Sequence, residues 1–253
     1  MIDTSVNLVI SKSNEVFLKI NTEPHIEYEL RDHFKFEVPN AKFMPQYRGR
    51  NWNGEIHLYD MRSKQIYVGL LDKIVNFCEQ YGYSYKFEDN KFYGTPYEEN
   101  DGISMEGVKD YMNSICAHTP RKYQIEGVYG ALKHNRKLLI SPTASGKSLM
   151  IYSLVRYYVD RGEKILLVVP TTSLVEQMYK DFLDYGWDAD SYCHRIYSGR
   201  EKSNDAPVTI TTWQSVYKLE RSFFEDYGCI IGDEAHLFKS KSLIQIMTKL
   251  HHA

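Results

Sequence analysis

Three features of the 253-residue sequence predict an α/β protein in two parts, a small α+β domain followed by a larger domain built on a parallel sheet. From Thr119 onward, short apolar runs alternate with amphipathic helical stretches, the pattern of a parallel sheet covered on both faces. Before residue 90 the runs alternate apolar with polar residues around two helical stripes. Between the two parts, residues 89–102 (DNKFYGTPYEENDG) carry Asp, Asn, Gly and Pro without periodicity, as a linker does. The expected boundaries are 1–90, a linker and bridging helix over 91–118, and 119–253.

Along the first part, 6–10 (VNLVI) and 15–20 (EVFLKI) read as strands around the polar turn SKSN. Thr22 is placed to cap a helix with Glu23 and Pro24 in its first turn, after which Ile26, Leu30 and Phe34 recur every four residues. Strands follow at 55–60 and 65–68, then a helix with Leu70, Leu71, Ile74, Val75, Cys78 and Tyr81 on its stripe. Residues 83–88 alternate and close a small sheet. A short helix over 103–115 bridges to the second part. There the expected strands are 137–141, 165–170, 192–197, 208–212 and 229–232. One helix follows Gly146, and another carries Leu174, Val175, Met178, Tyr179, Phe182 and Leu183.

Composition narrows the class. At 43% hydrophobic and 25% charged residues the chain is ordinary globular protein, and no run of eighteen apolar residues offers a membrane span. The first fifteen residues have no basic-then-apolar signal, so a cytoplasmic location is expected. Cys78, Cys116, Cys193 and Cys229 are scattered without a CxxC pair and read as reduced thiols, not a zinc site. The net charge of −2 names no partner, but its distribution is uneven. From Met1 to His118 there are 13 basic against 18 acidic residues; from Thr119 to Ala253 there are 18 against 15. Within the acidic part, Lys42 to Tyr67 is a basic window, with Lys42, Arg48, Arg50, Arg62 and Lys64 against Glu55 and Asp60.

The strongest chemical signal is SPTASGKS, Ser141–Ser148, between an expected strand and an expected helix. Consecutive backbone N–H groups from Ser141, Thr143, Ala144, Ser145 and Gly146, with Pro142 shaping the turn, would face phosphates at a helix N-terminus. Lys147 adds a full charge, and the Ser148 hydroxyl can ligate Mg²⁺. Ser141 stands where the general pattern has its first glycine. The second signal is DEAH, Asp233–His236, directly after the run CIIG. Asp233 would hold Mg²⁺ and Glu234 would orient and deprotonate the attacking water. Two acids at a strand end are by themselves an ordinary helix cap. A phosphate loop in the same domain makes ATP chemistry the better reading.

In order, PTASGKS, VPTTSLVEQM (Val169–Met178), TTWQS (Thr211–Ser215) and DEAH resemble the motifs of superfamily 2 DEAH-box helicases, over residues 119–253. The resemblance implies a RecA-like motor domain using ATP and Mg²⁺. RKYQ (Arg121–Gln124) resembles the family's Q-motif, which implies adenine recognition by Gln124. It likewise implies nucleic-acid backbone contacts from Pro170, Thr171, Thr172, Gln177, Thr211, Thr212 and Gln214, and coupling of the ATP site to that groove by His236. Ala144 departs from the family's usual glycine. The family's later coupling motif, and a second motor domain with arginine fingers, would follow DEAH and are not in the sequence. The chain is therefore expected to be the N-terminal part of a larger enzyme, weak or inactive by itself. QYRGRNWNGEIHLYD and DAPVTITTWQS bring the resemblance closest to phage helicases of recombination, repair and replication. That implies branched or forked DNA, or RNA–DNA hybrids, as substrate.

The window KFMPQYRGRNWNG interleaves bases with aromatics. Lys42, Arg48 and Arg50 suit phosphates, with affinity that falls as salt rises. Phe43, Tyr47 and Trp52 suit stacking on unpaired bases; equally, Phe43 and Trp52 are candidate core anchors. Competing readings are an RNA helicase or a restriction-type translocase motor, and a nucleic-acid-binding module with a silent nucleotide site.

Overall fold

The computed structural model describes residues 6–88, 100–142, 144–197, 205–237 and 240–250. The chain divides into two compact units, Met1–Tyr93 and Gly94–Ala253; most of the expected linker lies outside the described residues.

The first unit contains β1 (Leu8–Lys12), β2 (Phe17–Thr22), α1 (Pro24–His33), β3 (Lys35–Glu37), α2 (Pro45–Arg48), β4 (Glu55–His57), β5 (Gln65–Tyr67), α3 (Leu71–Tyr81) and β6 (Tyr85–Phe87). The Asn14 side chain accepts from the N–H groups of Val16 and Phe17 and so builds the β1–β2 turn. The sheet order is β5-β2-β1-β6, antiparallel except for the parallel pair β1–β6. Leu8, Ile10, Leu18 and Ile20 point to the core while Lys19 and Asn21 face out, as period-2 alternation requires. Ile26, Leu30 and Phe34 from α1 and Ile74, Phe77 and Cys78 from α3 complete that core. Each such buried aliphatic contributes about 1.5–3 kcal/mol. One expected cap is not there. Thr22 is paired with Leu8 at the end of β2 and its hydroxyl donates to the Asn7 carbonyl, so α1 starts at Pro24 without a side-chain cap.

β3 and β4 pair antiparallel, and the basic–aromatic window is the excursion between them. Its base is closed by the Val38 N–H donating to the Gly54 carbonyl at 2.8 Å. Gly54 is required there: its φ is +89°, and a Cβ would sit 3.1 Å from Ala41 and 3.2 Å from the Tyr47 ring.

The second unit contains α4 (Met105–Ile115), α5 (Lys122–His134), α6 (Lys147–Val159), β7 (Lys164–Val169), α7 (Thr172–Asp184), α8 (Ala189–Tyr192), β8 (Cys193–Ile196), β9 (Val208–Thr212), α9 (Trp213–Val216), β10 (Tyr227–Gly232) and α10 (Ser240–Met247). Its sheet, β10-β7-β9-β8, is parallel throughout. β7 shows why the strands read as continuous apolar runs. Ile165, Leu167 and Val169 pack against α6 and α7, while Leu166 and Val168 pack on the other face with Val216, Phe224 and Ile246. The bridging helix, α4, packs through Val108 and Met112 against α5 and α6. α5 contains Lys122, Tyr123 and Gln124 of RKYQ, with Arg121 as its N-cap.

The strand expected at 137–141 is not formed. Leu138 and Ile140 are 72% and 92% exposed, and β10 has β7 as its one paired neighbour among the described residues. Between that segment and β10 lies a cavity of about 630 Å³, lined by Met150, Leu154 and Tyr158 of α6 and by Cys229 and Ile231 of β10. An apolar run becomes a strand only where an adjacent strand takes its N–H and C=O groups. Here the cavity separates it from the nearest free sheet edge.

Candidate nucleotide site and nucleic-acid interface

The phosphate-loop residues lead into the N-terminus of α6, with Gly146 at φ +75° as its cap. The loop rests on α5. Tyr123 donates its hydroxyl to the Ser145 carbonyl at 2.6 Å, and the Gln124 amide donates to the carbonyls of Ser145 and Gly146 at 3.1 and 3.3 Å. The Gln124 Oε1 in turn accepts from the Arg121 N–H at 2.8 Å. Gln124 is buried, and a Cβ on residue 146 would meet its amide at 2.5 Å, so glycine is the side chain that fits. Ser141 and Ser145 share a hydrogen bond between hydroxyls, and the Ser145 N–H donates to Pro142 at 3.3 Å. Ala144 takes φ +61°, the left-handed conformation for which the family's glycine is suited. Thr143 lies outside the described residues.

The DEAH residues stand at the C-terminal end of β10. The Asp233 N–H donates to the Val168 carbonyl of β7, and Asp233 accepts from the Glu234 N–H at 2.9 Å. Lys147 Nζ reaches Glu234 Oε1 at 2.6 Å, joining phosphate loop and DEAH. The Lys147 hydrogen bond holds the Glu234 carboxyl below the usual carboxylate range, whereas burial pushes Asp233 up. His236 is exposed, its Nδ1 3.4 Å from Glu234 Oε2. Lys147, Asp233, Glu234, His236 and Ser141 all line the 630 Å³ cavity. Ser148 shares a hydrogen bond of 2.8 Å with the Tyr185 hydroxyl. The hard oxygen donors Ser148 and Asp233 fit Mg²⁺, which draws most of its ligands from phosphates and water. Among the described residues no cluster of three or more His, Cys, Asp or Glu would hold an ion alone.

The remaining motif residues of this unit separate into two groups. Val169 is in register with Thr212, so β7 and β9 end together, and the Gln214 amide donates to the Pro170 carbonyl at 3.4 Å. Thr171 caps α7 by accepting from the Leu174 N–H; Thr171, Thr172, Gln177 and Gln214 are exposed. Pro170, Thr211 and Thr212 are buried. Thr211 is 0% exposed and donates to the Ile196 and Thr212 carbonyls, and the Thr212 hydroxyl bonds that of Ser215. Tyr123 and Tyr185 touch phosphate-loop residues and were not expected from the sequence. Tyr123 adjoins Gln124 in RKYQ, whereas nothing local marks Tyr185.

In the first unit the excursion gathers Lys42, Tyr47, Arg48, Arg50 and Trp52, with Asn51 and Asn53, around an open cavity of about 720 Å³. Lys42, Arg48 and Arg50 are exposed and have no ion pair among the described residues. Trp52 is half-buried, anchored by its indole N–H donating to the Glu55 carbonyl at 2.7 Å. Phe43, a candidate core anchor, is instead 60% exposed with the Lys42 ammonium over its ring.

A phosphate loop and a DEAH sequence facing each other on a parallel sheet define a helicase motor of superfamily 2, and the chain belongs to this class: residues 117–253 match the family described as Type III restriction enzyme, res subunit. Residues 10–88 match the N-terminal domain of the DNA helicase UvsW. The ATP-dependent DNA helicase uvsW of Enterobacteria phage T4 is 33% identical over 246 residues, 93% of this chain and 48% of that protein. The DNA 3'-5' translocase XPB2 of Sulfurisphaera tokodaii is 31% identical over 158 residues, 60% of this chain and 32% of that one. A crystal structure of the T4 UvsW helicase matches with TM-score 0.79 and 32% identity, covering 96% of this chain and 88% of the other. The chain thus spans about half or less of the length of these curated relatives. Among the described residues no helix is long and apolar enough to cross a membrane.

Proposed function

We propose that this chain carries the substrate-recognition domain and first motor domain of an ATP-dependent DNA helicase. It would act on branched or forked DNA, or on RNA–DNA hybrids, in recombination, repair and replication, in the cytoplasm of a bacterial host. The observation that carries the reading is the Lys147–Glu234 pair, which joins the phosphate loop to DEAH beside Asp233.

In this reading Lys147 exchanges Glu234 for the β- and γ-phosphates of ATP, and the backbone N–H groups at the start of α6 take the remaining phosphate oxygens. Glu234, released, orients the attacking water and accepts its proton. Ser148 and Asp233 would hold Mg²⁺, which neutralises charge on the phosphates when bound. Gln124 keeps one unused lone pair on Oε1, so it would meet adenine by accepting from the exocyclic amino group. His236, through Glu234, relays the state of this site. Arginine fingers, worth about 10³–10⁵ in rate where they act, would come from a second motor domain. Thr171, Thr172, Gln177 and Gln214 would line the motor's path for a nucleic-acid strand, and the 42–53 excursion would select the substrate.

The test is titration of the chain with fluorescent forked DNA, matched duplex and single strand across a salt series, with and without an ATP analogue and magnesium. Fork preference together with magnesium-dependent nucleotide binding supports the reading. DNA binding without any nucleotide binding favours a module with a silent nucleotide site, and preference for RNA favours an RNA helicase.

A further inference from the structure

We propose that the open face of the β3–β4 ribbon, carrying Phe36 and Ile56, stacks on an unpaired base of DNA held by the adjoining 42–53 excursion. The inference rests on the DNA-recognition reading above and deepens it by naming the group that tells a branch from continuous duplex. A nucleobase offers a free π-face only where stacking is interrupted, in a single strand or at a branch. An exposed aromatic side chain is the complement of such a face. Phosphates run along every duplex, so cations alone supply affinity without that distinction.

Register and charge single out this face. Phe36 lies directly opposite Ile56, so the two side chains share one face of the ribbon, and they are 46% and 41% exposed. The opposite face is filled. There Lys35 reaches Asp32 at 2.6 Å and Glu55 at 3.2 Å, and the His57 ring, 3.6 Å from Glu55, meets the Arg31 carbonyl at 3.1 Å. By alternation Glu37 and Glu55, the carboxylates of the two strands, both belong to that filled face. A polyanion approaching the Phe36–Ile56 face therefore meets no carboxylate of the ribbon. Beside it, Lys42, Arg48 and Arg50 are exposed and have no ion pair among the described residues. Phe43, Met44 and Tyr47 are exposed on the same excursion, and the Tyr47 ring lies over Gly54, two residues from Ile56. A single exposed apolar side chain is ordinary, but several gathered on one cationic segment mark a contact surface. The ribbon is rooted well enough to present a ring. The Leu58 N–H donates to the Phe34 carbonyl at 2.7 Å, and Phe34 and Tyr59 are buried in the core.

The experiment measures binding of the parent chain and of Phe36→Ala/Ile56→Ala to forked DNA, single strand and matched duplex across a salt series. A fluorescent adenine analogue is placed in turn at each unpaired position beside the branch. The variant's affinity for fork and single strand should fall roughly fivefold to a hundredfold, the range for loss of one stacked base, with duplex affinity at the parent value. Its log–log salt slope should not change, because no cation is removed. The parent should quench the analogue at one position or more, and the variant should lose that quenching. Phe36→Trp keeps a ring and should bind as the parent does, which separates stacking from damage to the ribbon. Parent-like fork affinity in the double alanine variant, equal loss on duplex, a shallower salt slope, or the same loss in Phe36→Trp would each overturn the proposal. So would a parent chain that sediments as a dimer which the two alanines dissociate with DNA binding unchanged, because the face would then belong to a second copy. A parent that binds all three DNAs equally, or none of them, overturns the DNA-recognition reading itself, and this inference with it.

Discussion

Lys147, at the start of α6, is paired with Glu234 at 2.6 Å, whereas Lys42, Arg48 and Arg50 on the 38–54 excursion have no ion pair among the described residues. The difference separates two ways of holding a polyanion. At the phosphate loop a ligand must displace an internal carboxylate, so binding also frees the group assigned to water activation. On the excursion the cations stand in water, and each phosphate contact adds affinity that salt removes. One region is built as an exchange and the other as a sum.

The largest way to break this comparison is Lys147→Ala. Removing a charge-assisted hydrogen bond costs about 1.5–3 kcal/mol, so the affinity for a fluorescent ADP analogue with magnesium should fall roughly tenfold to a hundredfold. Binding of forked DNA without nucleotide should stay at the parent value. Loss of both together would mean that the two regions are not independent.

Arg48→Ala/Arg50→Ala sharpens the other side. If each arginine neutralises one phosphate, the log–log salt dependence of DNA binding should become shallower by about 1.8 for duplex and about 1.4 for single strand. Nucleotide binding should not move. An unchanged slope would return the excursion to a purely structural role.

How much of this was legible in the sequence depends on whether the signal was local. The start of α6 after Gly146, the burial of β7 on both faces and the Ile26–Leu30–Phe34 stripe follow from signals within one element. The segment 137–141 has the same apolar signature as β7, yet it has no paired neighbour among the described residues, and no sequence pattern reports a neighbour. Thr22 failed as a cap for a related reason: strand pairing with Leu8 outcompeted a local helix signal. At the site, motif residues that sit in loops or at helix starts, such as Lys147, Glu234 and Thr171, are where chemistry can use them. Thr211 and Thr212 carry the same kind of signal but lie in a strand covered on both faces. Tyr185 reaches Ser148 only through packing of α7 beside α6, which its place in the sequence does not encode.

Glu234→Gln probes the exchange directly. It removes the half-buried competitor of incoming phosphates, so nucleotide affinity should rise while hydrolysis falls. The pH dependence has a definite sign. Glu234 is held below its ordinary value of 4.5, so its pairing contribution is complete above that value and is lost as pH falls through the lower folded one. The stability gap between parent and variant should therefore close in acid. A gap that widens below pH 4.5 would contradict the pairing.

The smallest expected effects come from backbone strain, which both regions carry at a non-glycine residue. Ala144 in the phosphate loop has φ +61° and Arg50 in the excursion has φ +57°. An L-residue in the left-handed region costs about 1–2 kcal/mol, and the extra freedom of glycine in the unfolded chain offsets about 0.4–1 kcal/mol of any relief. Ala144→Gly and Arg50→Gly should each raise stability in denaturant melts by no more than about 1.5 kcal/mol. Their binding consequences should differ. Ala144→Gly deletes one methyl group, and the phosphate loop uses backbone N–H groups, so nucleotide affinity should stay near the parent value. Arg50→Gly relieves the same strain but removes a cation, so DNA affinity and salt slope should drop while the melt improves. That opposition would mark the strain at Arg50 as the cost of presenting a charge. If DNA binding survives Arg50→Gly intact, the charge at position 50 is not used and the strain has no functional counterpart.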